Sequence, residues 1–410
     1  MRYPSSDYDL SRLLLWAGDS VRAPFESDPG LLALGLVRVT NLQPSQPLWR
    51  RKLAFDFSRA LSPSGLEDAF RIITRLVQPV RVRELIPAPR RFFDCAPAAC
   101  GARQLAQRAW SAYPPTWHLD AMGSNQQPGG QTVPIGVLDS GADPTHPSLS
   151  GLLKKAQALV DLAGHGTHVA STICGRPWGT PPPLAYDPDY NLEYVPPGIL
   201  TGREILVVNI AKPRAVFEVD LVAYLSALDS FTTPTDRQQI LNLSFGGPAP
   251  CDSEADALRT LSGYTLLVAA AGNDSRRVLY PAGYPECLSV AASTRDTAKI
   301  LAPFIPWNRN SDAGNSPERM QKGLPAIDVY APGRNIAGAV PVTGANALRP
   351  AGFRSGTSMA TAYTTGVFGL LYSTTGVTSK LADARIRIAK LAKLSNGGHH
   401  LIDLATQNFF

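Results

Sequence analysis

Long apolar segments are missing from this sequence. No run of 18 uncharged apolar residues occurs, so no transmembrane helix is expected. The first twenty residues carry Asp7, Asp9 and Arg12 where a secretory signal needs an unbroken apolar stretch. We therefore expect a cytoplasmic protein that makes no membrane contact.

Cysteine is scarce as well. The chain has five cysteines, an odd number without the dense spacing of a disulfide framework. They are Cys95, Cys100, Cys174, Cys251 and Cys287. Reduced thiols that pack as small apolar groups are the simplest interpretation, and it agrees with a cytoplasmic location. A redox pair of Cys95 and Cys100 is an alternative that nothing else in the sequence favours.

Nucleic-acid-binding motifs are also missing, although the net charge is +6. Residues 1–116 contain 16 Lys and Arg against 10 Asp and Glu, whereas residues 117–410 contain 23 of each kind. A basic segment on a neutral body is typical of a surface that meets an acidic partner. No recognition-helix signature or paired Cys/His ligands accompany it. We therefore favour an acidic protein partner, or a solvated face, over nucleic acid.

The residues that are present are typical of a folded globular protein. The 410 residues, 44% hydrophobic and 18% charged, allow one large domain with an appendage. Residues 1–116 have the pattern of a small α/β domain. It includes a helix near residues 64–77, where Ser64 and Glu67 have the spacing of a capping box. A proline-rich stretch indicates a domain boundary near Pro115.

Residues 117–410 show a different rhythm. Short apolar runs that end in Asp, Asn or Gly alternate with helical patterns. This alternation predicts an α/β fold in which helices cover both faces of a parallel sheet. Ligands of such sheets bind beyond the carboxyl ends of the strands. Asp139, Ser244 and Asn273 follow such runs and are therefore candidate site residues.

Two histidines stand three residues apart in the stretch DLAGHGTHVA, at His165 and His168. A zinc pair on one helix face needs further ligands and usually a catalytic carboxylate between the histidines. Gly and Thr stand there instead. These ten residues leave open whether one histidine is a catalytic base or both belong to the core.

Ser358 stands where the stretch SGTSMATAYTTG becomes helical, so we expect it at or near a helix N-terminus. Backbone N–H groups at that position stabilise negative charge, which suits a serine nucleophile whose intermediate is an oxyanion. Asn273 ends LLVAAAGN, where its amide would be a second donor to an oxyanion. Taken singly, the two residues are equally typical of an N-cap serine and a turn asparagine.

The residues Asp139, His165 and Ser358 follow each other in the chain order of subtilisin. The sequence resembles the subtilisin-like serine peptidases in four motifs. These are VLDSGADPTHPSL for the aspartate, GHGTHVAST for the histidine, AAAGN for the oxyanion site and SGTSMAT for the serine. The resemblance covers about residues 117–405, and it implies a subtilisin-like peptidase domain over residues 117–410.

The resemblance also implies a role for each residue. Ser358 would attack a peptide carbonyl, His165 would take and return the proton, and Asp139 would orient the imidazole. Asn273 would hold the oxyanion, and His168 would be a packing residue. The residues expected to pair with an extended substrate as an added strand are Ser244, Phe245 and Gly246.

Two departures from the family pattern matter. Leu279 stands at a position that is often small and lines the first specificity pocket, so medium-sized apolar residues should be preferred there. The nearby Asp274 would alternatively favour Lys or Arg. Ser148 replaces an acidic calcium ligand, and the insertion at residues 175–198 replaces the usual calcium loop. We expect no metal and no cofactor.

The favoured function is a selective cytoplasmic serine endopeptidase that acts on a narrow protein or precursor-peptide substrate. One alternative is an effector protease gated by residues 1–116 within a larger assembly. Another is a catalytically silent binding module that kept the fold.

For residues 1–116 we expect a retained domain beside the cleft. The alternative is an inhibitory prodomain that has its end near Tyr113 in the cleft and is cleaved between Ala112 and Trp117.

Overall fold

The structure is a computed structural model of the whole chain. The residues that it describes are 3–17, 25–42, 52–77, 82–93, 116–119, 133–154, 161–181, 193–213, 215–233, 237–273, 277–295, 304–306, 314–342, 350–375, 381–391, 393–394 and 400–401. The predicted boundary near Pro115 lies outside them and stays a prediction.

The N-terminal domain, residues 3–93, is a small antiparallel sheet with two helices. Its elements are β1 (Tyr8–Ala17), α1 (Pro29–Ala33), β2 (Leu36–Asn41), β3 (Lys52–Phe57), α2 (Pro63–Val77) and β4 (Val82–Pro89). The strands lie in the order β2-β3-β1-β4, and all three pairings are antiparallel. This sheet places the end of β4, and the residues that follow it, against the C-terminal domain.

Helix α2 confirms the helix predicted from the sequence, but the predicted capping box is wrong. The helix begins at Pro63, and Ser62 Oγ accepts a hydrogen bond from Gly65 N (3.1 Å). Ser62 rather than Ser64 therefore caps it. Proline suits the first helical position because that residue needs no N–H partner. Further along α2, the side chain of Ile73 is buried in the core of the N-terminal domain.

The C-terminal domain, residues 116–401, is an α/β domain. Its strands are β5 (Ile135–Asp139), β6 (Leu153–Lys154), β7 (Trp178–Gly179), β8 (Tyr194–Val195), β9 (Ile205–Asn209), β10 (Ala211–Lys212), β11 (Ala215–Val219), β12 (Ile240–Leu243), β13 (Leu266–Ala270), β14 (Cys287–Arg295), β15 (Phe304–Pro306), β16 (Val329–Pro332), β17 (Ile336–Ala339), β18 (Ala351–Arg354), β19 (Lys393–Leu394) and β20 (His400–Leu401). Its helices are α3 (His165–Cys174), α4 (Leu221–Ser230), α5 (Asp252–Ser262), α6 (Pro317–Gln321), α7 (Thr357–Thr375) and α8 (Leu381–Leu391).

The main sheet confirms the predicted fold class. Its strands lie in the order β19-β20-β16-β14-β13-β12-β5-β9-β6, and the central ones pair in parallel. Every residue of β5, β12 and β13 is buried. Successive side chains of a strand point to opposite faces, so full burial means that both faces are covered. The carboxyl ends of these three strands meet at one edge of the sheet.

The two domains are joined by charged contacts. Glu84 of β4 accepts hydrogen bonds from the N–H groups of Asp252 (2.7 Å) and Ser253 (3.0 Å) at the start of α5. Those N–H groups have no partner within the helix, so a carboxylate there satisfies them and meets the positive end of the helix dipole. Burial raises the pKa of Glu84.

Several cations of the N-terminal domain meet carboxylates of the C-terminal domain. The pairs are Arg12–Asp220 (2.6 Å), Lys52–Asp256 (2.7 Å) and Arg91–Glu254 (2.5 Å). Part of the positive charge of this domain is thus used within the chain. An external acidic partner stays a prediction.

No helix in the described part of the chain is long and apolar enough to cross a membrane.

Candidate active site

Asp139 is the last residue of β5 and is fully buried. Its Oδ1 accepts a hydrogen bond from Ser140 N (2.7 Å), because the chain turns sharply after the strand. The carboxylate is therefore held at the carboxyl edge of the sheet, where the sequence predicted it.

His165 is the first residue of α3, and its side chain is 1% exposed. Its Nδ1 lies 2.8 Å from Oδ1 of Asp139. With Nδ1–H donating to the carboxylate, the neutral ring keeps its basic lone pair on Nε2. The pair thus fixes both the orientation and the tautomer of the imidazole.

The two glycines that flank His165, Gly164 and Gly166, are each required for a different physical reason. Gly164 has φ +66°, a left-handed conformation that side chains disfavour. A Cβ on Gly166 would lie 1.9 Å from the carbonyl oxygen of Gly141, so no side chain fits there. These two positions bring the start of α3 close to the loop that follows Asp139.

Asp161 is a residue that the sequence reasoning missed. Its Oδ1 accepts hydrogen bonds from Ser140 Oγ (2.8 Å) and Gly164 N (2.8 Å), and its Oδ2 accepts two from Thr167. Burial raises the pKa of Asp161. It links the loop after Asp139 to the first turn of α3. The sequence held a signal for this role. Asp161 stands four residues before His165 and six before Thr167, close to a predicted helix start, where a carboxylate typically accepts from helix N–H groups.

His168 lies one turn further along α3, away from Asp139. Its Nε2 donates to the carbonyl oxygen of Ile336 (3.0 Å), and burial lowers its pKa to about 3. A Cβ on Gly338 would lie 2.7 Å from His168 Nε2, so the ring fills the space beside β17. The two histidines of the motif therefore have different surroundings.

Ser358 lies in the first turn of α7, as predicted. Its side chain is buried, and its single hydroxyl proton can be donated to the carbonyl oxygen of Ser244 (3.0 Å) or to that of Phe93 (3.3 Å). Ser244 Oγ in turn donates to the carbonyl oxygen of Ser358 (3.0 Å). The serine is thus tied to the end of β12 and touches the N-terminal domain.

Asn273 follows β13 and lies beside the start of α7. Its Oδ1 accepts hydrogen bonds from Thr357 N (2.8 Å) and Thr357 Oγ1 (3.2 Å). These contacts identify Oδ1 as the acceptor oxygen of the amide, so Nδ2 is its donor nitrogen. Nδ2 lies close to Gly356, since a Cβ added to that glycine would be 3.2 Å from it. The donor end is therefore positioned next to the turn that carries Ser358.

The end of the N-terminal domain lies in a cleft between two edges of the C-terminal domain. Phe92 pairs antiparallel with Gly246 through both backbone bonds (2.9 and 3.0 Å). On the other side, Phe93 N donates to the carbonyl oxygen of Phe217 (3.0 Å). Val219 N donates to the carbonyl oxygen of Arg91 (2.9 Å). Residues 91–93 thus form an extended strand between two neighbours.

Phe93 connects this strand to the candidate catalytic residues. Its ring centroid lies 5.8 Å from that of His165 and 6.1 Å from that of Phe245. Its carbonyl oxygen is the one that Ser358 contacts.

We expected the N-terminal domain to lie beside the cleft, and the structure corrects this placement, because residues 91–93 lie within the cleft. That the active protein keeps residues 1–116 stays a prediction. The alternative, a prodomain with its end near Tyr113 in the cleft, concerns a residue outside the described ranges and stays a prediction.

Leu279 lies between the ends of two strands. A Cβ on Gly246 would lie 2.9 Å from Leu279 Cβ, and one on Gly272 would lie 2.6 Å from Leu279 Cγ. The half-buried side chain therefore fills space between the strand ends that flank the cleft. Asp274, the alternative determinant, lies outside the described residues.

Within the described residues, no group of three or more His, Cys, Asp or Glu side chains comes together as a metal site. Ser148, the residue in place of a calcium ligand, donates from Oγ to the carbonyl oxygen of Arg176 (2.8 Å). Three cysteines in this part of the chain, Cys174, Cys251 and Cys287, are buried free thiols.

The structure thus shows an α/β protein with a buried carboxylate–imidazole pair at the carboxyl edge of a parallel sheet and a helix-terminal serine bonded to the residue that follows a neighbouring strand. The family model of the subtilase family matches residues 130–392, and the chain belongs to this family.

Curated relatives are similar over part of their length. Subtilisin-like protease 6 of Trichophyton verrucosum is 28% identical over 274 residues, 62% of this chain and 57% of the relative. Subtilisin-like protease 3 of Arthroderma otae is 28% identical over 307 residues, 69% of this chain and 65% of the relative. The chain thus spans less than two thirds of these relatives.

Among solved structures, fervidolysin from Fervidobacterium pennivorans is similar, with a TM-score of 0.66 and 19% identity. The match covers 99% of this chain and 62% of fervidolysin, which is described as a keratinolytic enzyme related to subtilisin. At this identity the likeness concerns the fold.

Proposed function

We propose that the protein is a serine endopeptidase in which Ser358 is the nucleophile and His165 the general base. Asp139 holds the imidazole in the tautomer that accepts the serine proton and stabilises the imidazolium that forms. Asn273 Nδ2 and the N–H of Ser358 donate to the oxyanion of the tetrahedral intermediate. His165 then returns the proton to the leaving amine.

One observation carries this proposal: a segment of polypeptide lies as an extended strand beside the candidate nucleophile. Phe92 pairs with Gly246, and the next carbonyl oxygen, that of Phe93, lies 3.3 Å from Ser358 Oγ. Backbone pairing gives affinity for any extended peptide and brings one carbonyl group to the serine. Ser244, Phe245 and Gly246 thus form one wall of a substrate cleft, and Leu279 limits the size of its pocket.

The same observation supports a role for the N-terminal domain as an inhibitor in cis. While residues 91–93 lie between Gly246 and Phe217, no other peptide can pair with these edges. The contacts of Glu84 and Lys52 hold the domain in place. Ser358 Oγ lies 3.3 Å from the carbonyl oxygen of Phe93. We therefore expect maturation to cut one of the two peptide bonds that flank Asp94, so that the new N-terminus is Asp94 or Cys95.

We further propose a narrow protein or precursor-peptide substrate and a cytoplasmic location. Bulky side chains such as Phe245 and Leu279 line the cleft and limit which substrate side chains fit there, which supports a narrow substrate range. The buried free thiols support a reducing compartment. Imaging of the tagged protein in its own host tests the location.

The test of the enzymatic proposal compares wild type with Ser358→Ala. The purified chain is incubated at increasing concentration and followed by intact mass, N-terminal sequencing and labelling with a fluorophosphonate. Wild type should be labelled and should acquire an N-terminus at Asp94 or Cys95, whereas Ser358→Ala should do neither and should keep its circular dichroism spectrum. Labelling that persists in Ser358→Ala would contradict the nucleophile. A wild type that is never labelled would favour a silent binding module.

A further inference from the structure

An arginine lies in a buried pocket of the cleft. The side chains of Arg91 and Glu254 are both 0% exposed. Arg91 Nε donates to Glu254 Oε1 (3.3 Å), and Nη2 donates to Oε2 (2.5 Å), so the pair is bidentate. The hydroxyl of Tyr284 lies 3.0 Å from Glu254 Oε2 and orients the carboxylate.

The pocket belongs to the C-terminal domain, whereas the arginine belongs to the strand that fills the cleft. Glu254 lies on α5, and Gly247 borders the guanidinium. A Cβ on Gly247 would lie 3.0 Å from Arg91 Nη1 and 1.9 Å from the carbonyl oxygen of Arg90. The absence of a side chain there thus lets the strand and the guanidinium approach.

The neighbouring arginine has no such pocket. The side chain of Arg90 is 34% exposed, and its Nε lies 3.6 Å from Glu218. This pair contributes less, because water reaches the Arg90 side chain, the distance is longer than a hydrogen bond, and Glu218 also pairs with Lys212 (2.7 Å). The contrast between Arg90 and Arg91 provides a control within the same segment.

The pocket becomes a subsite when the segment leaves. Glu254 is then a carboxylate in a pocket built for a guanidinium, and a peptide that offers no cation there leaves its buried charge without a countercharge, at a cost. Arginine offers two parallel donors that match both oxygens, whereas lysine is a point charge that matches one. The pocket therefore discriminates between side chains at one position of the substrate.

We propose that Glu254 is a specificity-determining residue and that preferred substrates carry arginine two residues before the residue that occupies the place of Phe93. This inference rests on the proposed peptidase function. It names the substrate class as polypeptides with an arginine at that position, of which the chain's own stretch Arg91-Phe92-Phe93 is the first example.

The experiment uses internally quenched peptides that copy residues 87–97 with serine in place of Cys95. The series contains the parent peptide and versions with Arg91→Gln, Arg91→Lys or Arg90→Gln. The enzymes are the full chain and its Glu254→Gln variant. Both are incubated until the fluorophosphonate-labelled fraction is constant, and that fraction normalises kcat/KM.

With wild type, Arg91→Gln should lower kcat/KM by at least about 30-fold, as expected for a buried charge left unpaired. The kcat/KM of the Arg91→Lys peptide should lie between those of the parent and the Arg91→Gln peptide. Arg90→Gln should change kcat/KM by less than about 3-fold. With Glu254→Gln, the parent and the Arg91→Gln peptide should differ by less than about 3-fold. If this variant does not fold, the wild-type series still decides.

Similar wild-type rates for the parent and Arg91→Gln peptides would overturn the subsite, as would an unchanged preference in folded Glu254→Gln. A labelled wild type that cleaves none of the peptides overturns the subsite alone. A wild type that is neither labelled nor active overturns the peptidase function and the subsite with it.

Discussion

Nδ1 of His165 lies 2.8 Å from Oδ1 of Asp139, and both side chains are excluded from water. The carboxylate is held in turn by Ser140 N, so neither partner is free to rotate. This relationship is what turns a histidine at a helix start into a base of fixed tautomer.

Asp139→Asn should lower kcat by about 10³–10⁴-fold with little change in KM, because the amide orients the wrong tautomer. Asp143→Asn is the matched control. Asp143 is a buried carboxylate of the same loop that accepts from Thr145 rather than from His165. Steady-state kinetics on a cleaved peptide measures both variants. Equal losses in the two would show that the effect comes from the loop and not from the imidazole.

Gly338→Ala should destabilise the protein by about 1–3 kcal/mol, because its Cβ would lie 2.7 Å from the ring of His168. His168→Ala alone should also destabilise, since it removes a buried ring and the hydrogen bond to Ile336. The double variant should lose less than the sum of both, because the removed ring makes room for the methyl group. Urea unfolding measures the three free energies. Additive losses would place the strain of Gly338→Ala elsewhere.

Glu84→Ala should weaken docking of the N-terminal domain by about 1–2 kcal/mol, since the N–H groups of Asp252 and Ser253 lose their acceptor. If the domain inhibits in cis, Ser358 should then react faster with a fluorophosphonate. Glu67→Ala on the exposed face of α2 is the control and should leave the labelling rate unchanged. Labelling of Glu84→Ala at the wild-type rate would argue against inhibition by this contact.

Stability should fall as the pH falls below about 6.5. Burial lowers the pKa of His118 and of His168 to about 3. The unfolded chain therefore binds these protons first, and stability present above pH 6.5 is lost towards pH 3. Burial raises the pKa of Glu84 and of Asp161, so these carboxyls act in the opposite direction.

A comparison with His118→Gln isolates the contribution of one histidine. Between pH 6 and pH 4.5, the free energy of unfolding of wild type should fall more steeply than that of the variant. The difference should be up to about 1.4 kcal/mol per pH unit. Urea unfolding at a series of pH values gives both slopes. Parallel slopes would mean that His118 is protonated in the folded protein.

The sequence by itself determined the fold class and the identity of the candidate catalytic residues. The fold class depends on apolar runs at strand spacing that alternate with helical patterns. The candidate catalytic residues were identified by four motifs that resemble those of the subtilisin-like peptidases, because each residue taken singly also fits an ordinary structural role. Asp139, His165 and Ser358 each stand at the end or the start of a strand or helix. The edge where the strand ends meet follows from parallel pairing alone.

Only the tertiary structure decided what occupies the cleft. Arg91 and Glu254 are 163 residues apart, and neither belongs to a periodic pattern that would mark it. A buried ion pair depends on two surfaces that meet only after both domains have folded, so no local signal predicts it. From the sequence, the proline-rich stretch near Pro115 indicates a domain boundary there, and the alternative prodomain end is therefore expected near Tyr113. The pairing of Phe92 with Gly246, which depends on the docking of one domain on the other, places residues 91–93 beside Ser358.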